Sequence, residues 1–138
     1  MWVNNRSKLY DTVVKDVMKL LSNGRNRYPV FNAWSHEDQK RMLLEILNEK
    51  SSTEIWVKYD ECNEPVTFAV IMLETDLHVG PTVSVVCNYS IAGVNDYDFQ
   101  KRLIRYVKSW ARKEGFRYAA YTHMHKDGKG CDTRYIEA

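Results

Sequence analysis

Cysteine is scarce in this 138-residue chain: Cys62, Cys87 and Cys131 are all there is, and they lie far apart. An odd, unpaired set of thiols excludes a disulfide scaffold and fits a reducing compartment. Long apolar runs are missing as well. The longest is Phe68 to Leu73, far short of the roughly 20 residues a membrane helix needs. The opening MWVNNRSKLY holds no apolar segment of a secretory signal. A cytoplasmic protein with no membrane contact is therefore expected. Proline and glycine are few, three and six, and no repeat or biased tract is seen, which excludes fibrous and low-complexity classes. Charge of one sign is also lacking: 20 Lys and Arg against 18 Asp and Glu argue against dedicated nucleic-acid binding. No P-loop, CxxC or Ser-His-Asp signature occurs.

What is present is the size and composition of one ordinary globular domain, spanning residues 1–138 and large enough to bury a core without staples. Leu9, Tyr10, Val13, Val14, Val17, Leu20 and Leu21 recur at helical spacing, predicting a first helix from Ser7 to Ser22 with Asn23-Gly24 as its stop. The stretch RNRYPVFNAW reads as a loop. Its Phe31 and Trp34 are either anchors on the core or a substrate-facing wall. Ser35, with Asp38 three residues on, caps a second helix reaching Glu49, whose apolar face is Met42, Leu43, Ile46 and Leu47.

Residues 53–60 alternate as a strand, with Ile55, Val57 and Tyr59 on one face. Residues 66–74 are apolar on both faces from Phe68 to Leu73, the mark of a central strand. A loop with Gly80-Pro81 leads to a strand over 82–90, and short links make the three an antiparallel meander. Phe99, Leu103, Val107, Trp110 and Ala111 predict an amphipathic helix over 96–114 that ends at Gly115. The strand over 116–123 should then lie parallel to 82–90. A short strand at Thr133 to Glu137 closes the reading. The class is α/β (α+β): two helices, a three-stranded antiparallel meander, a crossover helix and a parallel strand.

That element order, with the stretch FQKRLIRYVKSWARKEGFRYAAYTHM, resembles the GNAT (Gcn5-related N-acetyltransferase) fold over roughly residues 5 to 125. The family's first strand is not obvious in this sequence, and little chain remains for its fourth helix and last strands. In outline the chain is similar to small GNAT-like proteins of tailed phages. The resemblance implies an acyl-CoA pyrophosphate site on a glycine-rich turn ahead of the crossover helix, with backbone N–H groups and the helix N-terminus facing the phosphates.

The matching segment holds Ile91, Gly93, Asn95, Asp96 and Asp98, with one glycine and no arginine. Asn95, Asp96 and Asp98 read as caps that occupy the donors and cancel the positive helix end. On that ground no cofactor is expected, with acetyl-CoA as the alternative. A strand glutamate and a tyrosine often act as base and acid in the family. Glu74, Tyr89 and Tyr135 are candidates here, with Glu54 also on a strand, but they match no specific motif.

Lys101, Arg105, Lys108 and Arg112 share one face of the crossover helix. They form either a surface for phosphate or an acidic protein partner, or a solvated face. His123 and His125 share a strand face near Asp127, Cys131 and Asp132, but without a second ligand pair no metal is expected. His36 and His78 have no located partner. The resulting expectation is a non-catalytic structural or interaction protein with other protein subunits as partners. It would be a phage virion or assembly component, placed in a host cytoplasm or a virion. The alternative is an acyl-CoA-dependent N-acyltransferase with an atypical cofactor turn.

Overall fold

The computed structural model describes residues 2–4, 10–48, 52–125 and 129–138. The expected helix bounds at Ser7 and Glu49, and Asp127, lie outside them. The order is β1 (Trp2–Asn4), α1 (Tyr10–Arg27), a 3₁₀ turn (Pro29–Ala33), α2 (His36–Asn48), β2 (Thr53–Tyr59), β3 (Pro65–Asp76), β4 (Gly80–Ser90), α3 (Tyr97–Glu114), β5 (Tyr118–Met124) and β6 (Cys131–Glu137). The strands form one sheet in the order β1-β2-β3-β4-β5-β6. β4 and β5 are parallel and every other neighbouring pair is antiparallel. β1 supplies the edge strand that the sequence pattern left without a signal. It is only three residues long, too short for any periodicity to show.

Helices cover both faces of the sheet. Phe68 and Val70 of β3 point toward α1 and α2, joining Val13, Val17, Leu20, Leu43 and Leu47. Ala69 and Ile71 point the other way, joining Phe99, Leu103, Val107 and Ala111 of α3. Period-two alternation with a helix layer on each side is why this strand is apolar throughout. The α3 stripe is fully buried at those four positions, whereas Trp110, expected in the same stripe, is only half-buried. It lies beside the Tyr106 ring and donates Nε1–H to Glu114 Oε1 at 3.3 Å. α3 ends as its sequence indicates. Gly115 takes φ 77°, its N–H donates to Arg112 O at 3.1 Å and the Phe116 N–H donates to Ala111 O at 2.8 Å, a Schellman arrangement.

Four local expectations need correction. The Gly80-Pro81 segment belongs to β4: Asp76 Oδ1 accepts the N–H groups of His78 (2.7 Å) and Val79 (3.2 Å), which tightens the β3–β4 turn. α1 does not stop at Asn23-Gly24 but runs on to Arg27, with the Tyr28 N–H donating to Gly24 O at 2.7 Å. Gly24 is there for close approach: a Cβ at this position would stand 2.9 Å from two atoms of the Phe31 ring. Phe31 is thus an anchor, while Trp34 is 53% exposed. Met42, assigned to the buried face of α2, is 43% exposed. The Ser35 cap stands, with Oγ accepting the Asp38 N–H at 3.1 Å.

Glycine to alanine inside a helix ordinarily stabilises by roughly 0.5–1 kcal/mol. Gly24→Ala should yield no such gain, because the added methyl must displace the Phe31 ring. In a Phe31→Leu background the same substitution should recover it. Urea unfolding of the four proteins measures this, and a full gain in the otherwise unmodified chain would show that the ring does not lie on the glycine.

Candidate active site

β4 and β5 run together for only four pairs, from Thr82↔Tyr118 to Val85↔Tyr121. The reason lies on the other side of β4. Its register with β3 jumps from Ile71↔Val85 to Val70↔Cys87, so Val86 is an extra residue, a β-bulge that bends the strand. Beyond it β4 continues to Ser90 and β5 to Met124 with no ladder pairing between them among the described residues. The two parallel strands therefore open a wedge, and the N-terminus of α3 follows the end of β4 by a short turn.

A chain of polar side chains lines this wedge. Asn88 Nδ2 donates to Thr122 O at 2.9 Å, bridging the strands. Gln100 Nε2, one turn into α3, faces Asn88 Oδ1 at 3.5 Å and donates to Asp96 Oδ2 at 3.2 Å. The Tyr121 hydroxyl donates to Gln100 Oε1. Ser90 Oγ donates to Asp96 Oδ2 at 2.6 Å, and Thr67 Oγ1 donates to Ser90 Oγ at 3.0 Å. Burial, reinforced by the Asp96 charge, pushes the Tyr121 phenol up to about 12. Burial likewise pushes the Cys87 thiol up to about 11. A thiol held protonated is a poor nucleophile.

The turn from Ser90 to Asp96 differs from its sequence reading. Asp96 sits at the N-cap position of α3 but makes no capping hydrogen bond; its carboxylate turns inward to Ser90 and Gln100. Asp98 is exposed, and Asn95 Oδ1 accepts the Tyr97 N–H at 3.2 Å. Gly93 has φ 82° and open space where a Cβ would stand. The Ile91 N–H donates to Val66 O at 3.0 Å, tying the turn to the start of β3. The turn has no arginine of its own, but cations reach it from elsewhere. Arg27 Nη1 donates to Ser90 O at 2.9 Å and Lys58 Nζ donates to Asn95 O at 3.0 Å. Both are distant in sequence, which is why motif reading missed them. Asn88, Ser90 and Gln100 were missed because each is an ordinary polar residue until β4 bends.

The sequence candidates for acid and base are not brought together. Tyr89 is buried on the α1 side of the sheet, beside Tyr28 and Phe31, and its hydroxyl donates to Asn23 Oδ1. Glu74 is exposed and pairs with Thr82 near the start of β4, away from the wedge. Tyr135 on β6 donates to Asp76 Oδ2 at 2.9 Å at that same remote end. Glu54 is buried and accepts the Tyr106 hydroxyl, joining β2 to α3. Along α3, Lys101, Arg105 and Arg112 are exposed and Lys108 is half-buried. His125 pairs with Asp132 at 3.0 Å, and the described residues gather no group of three metal-capable side chains. No helix among them is long and apolar enough to cross a membrane.

No protein-family model matches the chain, and no curated protein does. Solved structures do. An aminoglycoside antibiotic 6'-N-acetyltransferase from Acinetobacter haemolyticus aligns with TM-score 0.67 at 14% identity, covering 100% of this chain and 95% of that one. A GNAT family acetyltransferase from Staphylococcus aureus aligns with TM-score 0.60 at 10% identity, covering 100% and 96%. The chain has the GNAT fold. AAC(6')-Iy, solved in complex with the bisubstrate analogue CoA-S-monomethyl-acetylneamine, aligns with TM-score 0.58 at 17% identity, covering 88% of this chain and 78% of that one.

At such identities the likeness establishes architecture and leaves the chemistry to the residues. It nevertheless corrects the expectation of a non-catalytic structural protein, since structures sharing this architecture are named N-acetyltransferases. The physical ground for that expectation is also narrower than read: Asp96 does not cap α3, although Asn95 Oδ1 takes the Tyr97 N–H. The likeness to tailed-phage proteins gains no support.

Because the folded-state values of Tyr121 and Cys87 are raised, each contributes stability that is whole below its unfolded value. That contribution is lost between about pH 10 and 12 for Tyr121 and between about pH 9 and 11 for Cys87. Tyr121→Phe should flatten the fall in unfolding free energy above pH 10 while leaving the earlier loss near pH 9 in place. An unchanged slope above pH 10 would mean that the phenol is not shielded.

Proposed function

We propose that this chain is an acyl-CoA-dependent N-acyltransferase. The observation that carries the reading is the α3 N-terminus: it follows an open wedge between parallel strands, and the carboxylate at its cap position faces away from the helix N–H groups. A helix start in this state favours an anion. Gly93 lets the turn backbone approach a pyrophosphate closely, and Arg27 and Lys58 set two positive charges against Asp96 and Asp98. Past Val86, the β4 edge toward β5 offers backbone groups to an extended amide-bearing arm, which would pair as an added strand does. Asn88 would then exchange its bond to Thr122 O for one to that arm.

The bound acyl-CoA supplies an activated thioester: an amine nitrogen attacks the carbonyl, the C–N bond forms as the C–S bond breaks, and the proton lost from nitrogen passes to the thiolate or to solvent. The chain's own contribution is chiefly alignment, which alone can supply several kcal/mol of barrier lowering. Tyr121 holds a proton inside the wedge, through Gln100 in the resting arrangement. In this reading transfer is direct, from thioester to amine, with both substrates bound at once. The basic row of α3, exposed at Lys101, Arg105 and Arg112, is in this reading a face for an acidic protein partner.

Acetyl-CoA should bind saturably and raise the melting temperature; at a hundredfold excess over Kd it adds about 2.7 kcal/mol of stability. Arg27→Glu and Lys58→Glu should each weaken binding by on the order of tenfold, since reversing one charge beside a phosphate costs about 1 kcal/mol or more. Calorimetric titration decides the matter. A flat titration with acetyl-CoA, and with CoA itself, would refute the proposal.

A further inference from the structure

On the α1/α2 side of the sheet, a cavity of about 250 Å³ lies against the bulge. Its walls are Leu21 of α1, Trp34, Met42 and Ile46, and Val86 and Cys87 of β4. No charged side chain lines it. Gln39, which does, has its amide engaged elsewhere: Nε2 donates to Phe31 O at 3.2 Å, and Oε1 accepts from Arg25 Nη1 at 3.4 Å. The Cys87 thiol stays neutral. Trp34 and Met42, two of the few large apolar side chains left exposed, stand at this cavity.

Val86, the bulge residue at which the β4–β5 pairing ends, lines the cavity, so an acyl group carried along β4 as far as the bulge has this space next to it. Two occupants compete. An amine acceptor is a cation in neutral water, and burying a cation without a carboxylate is costly. No Asp or Glu lines the cavity. An alkyl chain needs no polar partner and gains from every methylene removed from water. The volume exceeds that of an apolar cavity of about 150 Å³ that takes up benzene.

Resting on the acyltransferase reading above, we infer that this cavity receives the hydrocarbon chain of the donor, and that the chain prefers acyl-CoA thioesters longer than acetyl.

The test is calorimetric titration of the intact protein with acetyl-, butanoyl-, hexanoyl- and octanoyl-CoA below their micellar concentrations. Affinity should rise about fourfold for each added methylene until the cavity is filled. Met42→Trp, at a position that is 43% exposed, should bring the ratio of octanoyl to acetyl affinity close to one. Equal affinity for acetyl- and octanoyl-CoA would overturn the acyl-chain assignment while leaving the acyltransferase reading intact. A chain-length gain that survives Met42→Trp would overturn the cavity as its source. Failure of every thioester to bind would remove the acyltransferase reading and this inference with it.

Discussion

One extra residue in β4 sets up most of what is distinctive in this molecule. With Val86 unmatched in the β3 ladder, the strand bends, and its parallel pairing with β5 ends after Val85. Two parallel strands in one sheet normally satisfy each other's backbone groups along their full length. Here pairing stops midway, and side chains take up the slack. Asn88 carries its amide across to Thr122 O, and Gln100 and Tyr121 link α3 to β5 behind it. The bulge also re-aims the residues that follow. Val83 and Val85 face α3, while Val86 and Cys87 turn toward α1 and α2. The same displacement thus opens a polar wedge on one face and gives an apolar cavity its floor on the other.

The Ser90–Asp96 turn shows how competition between local bonds decides a site. An aspartate just ahead of a helix is a natural cap, and a cap is worth about 1 kcal/mol. Asp96 is also within reach of two side-chain donors, Ser90 Oγ and Gln100 Nε2. Hydrogen bonds to a charged group are worth roughly 1.5–3 kcal/mol each. Two of them outweigh one cap, so the carboxylate turns inward and leaves the Tyr97 N–H to Asn95 Oδ1. Arg27 and Lys58 then hold the turn from outside through its carbonyls, and their charges offset the local acidity. Acid residues at this turn do not by themselves bar an anionic ligand.

Where regular periodicity carried the information, the sequence was legible. The α3 stripe apart from Trp110, the doubly apolar β3, the meander, the parallel β5 and the Ser35 cap stand as read. What escaped is long-range or irregular. The GNAT resemblance gives the fold, but adjacent residues alone make its turn look purely acidic, whereas Arg27 of α1 and Lys58 of β2 reach it from elsewhere. A bulge has no signature in VVCNYS, because an extra residue in an apolar strand reads like any other. Asn-Gly in α1 reads as a helix stop unless Phe31, seven residues on, is known to lie against it. Met42 falls on the apolar face of α2, yet among the described residues it stays 43% exposed.

That uncovered spot is informative because its surroundings are otherwise well closed. Leu43 and Leu47, on the same helix, are almost wholly buried, and Val17, Phe68 and Val70 beneath them are 4% exposed or less. Scattered exposed apolar side chains need no explanation, but large ones grouped at a concavity do. Trp34 and Met42 stand over a cavity whose opposite wall is the residue that parts β4 from β5. Filling it from within would take only a larger residue at Cys87 or Val86 and would gain burial energy. The chain instead keeps a small thiol and a valine there. In the reading proposed above, an acyl chain completes that packing.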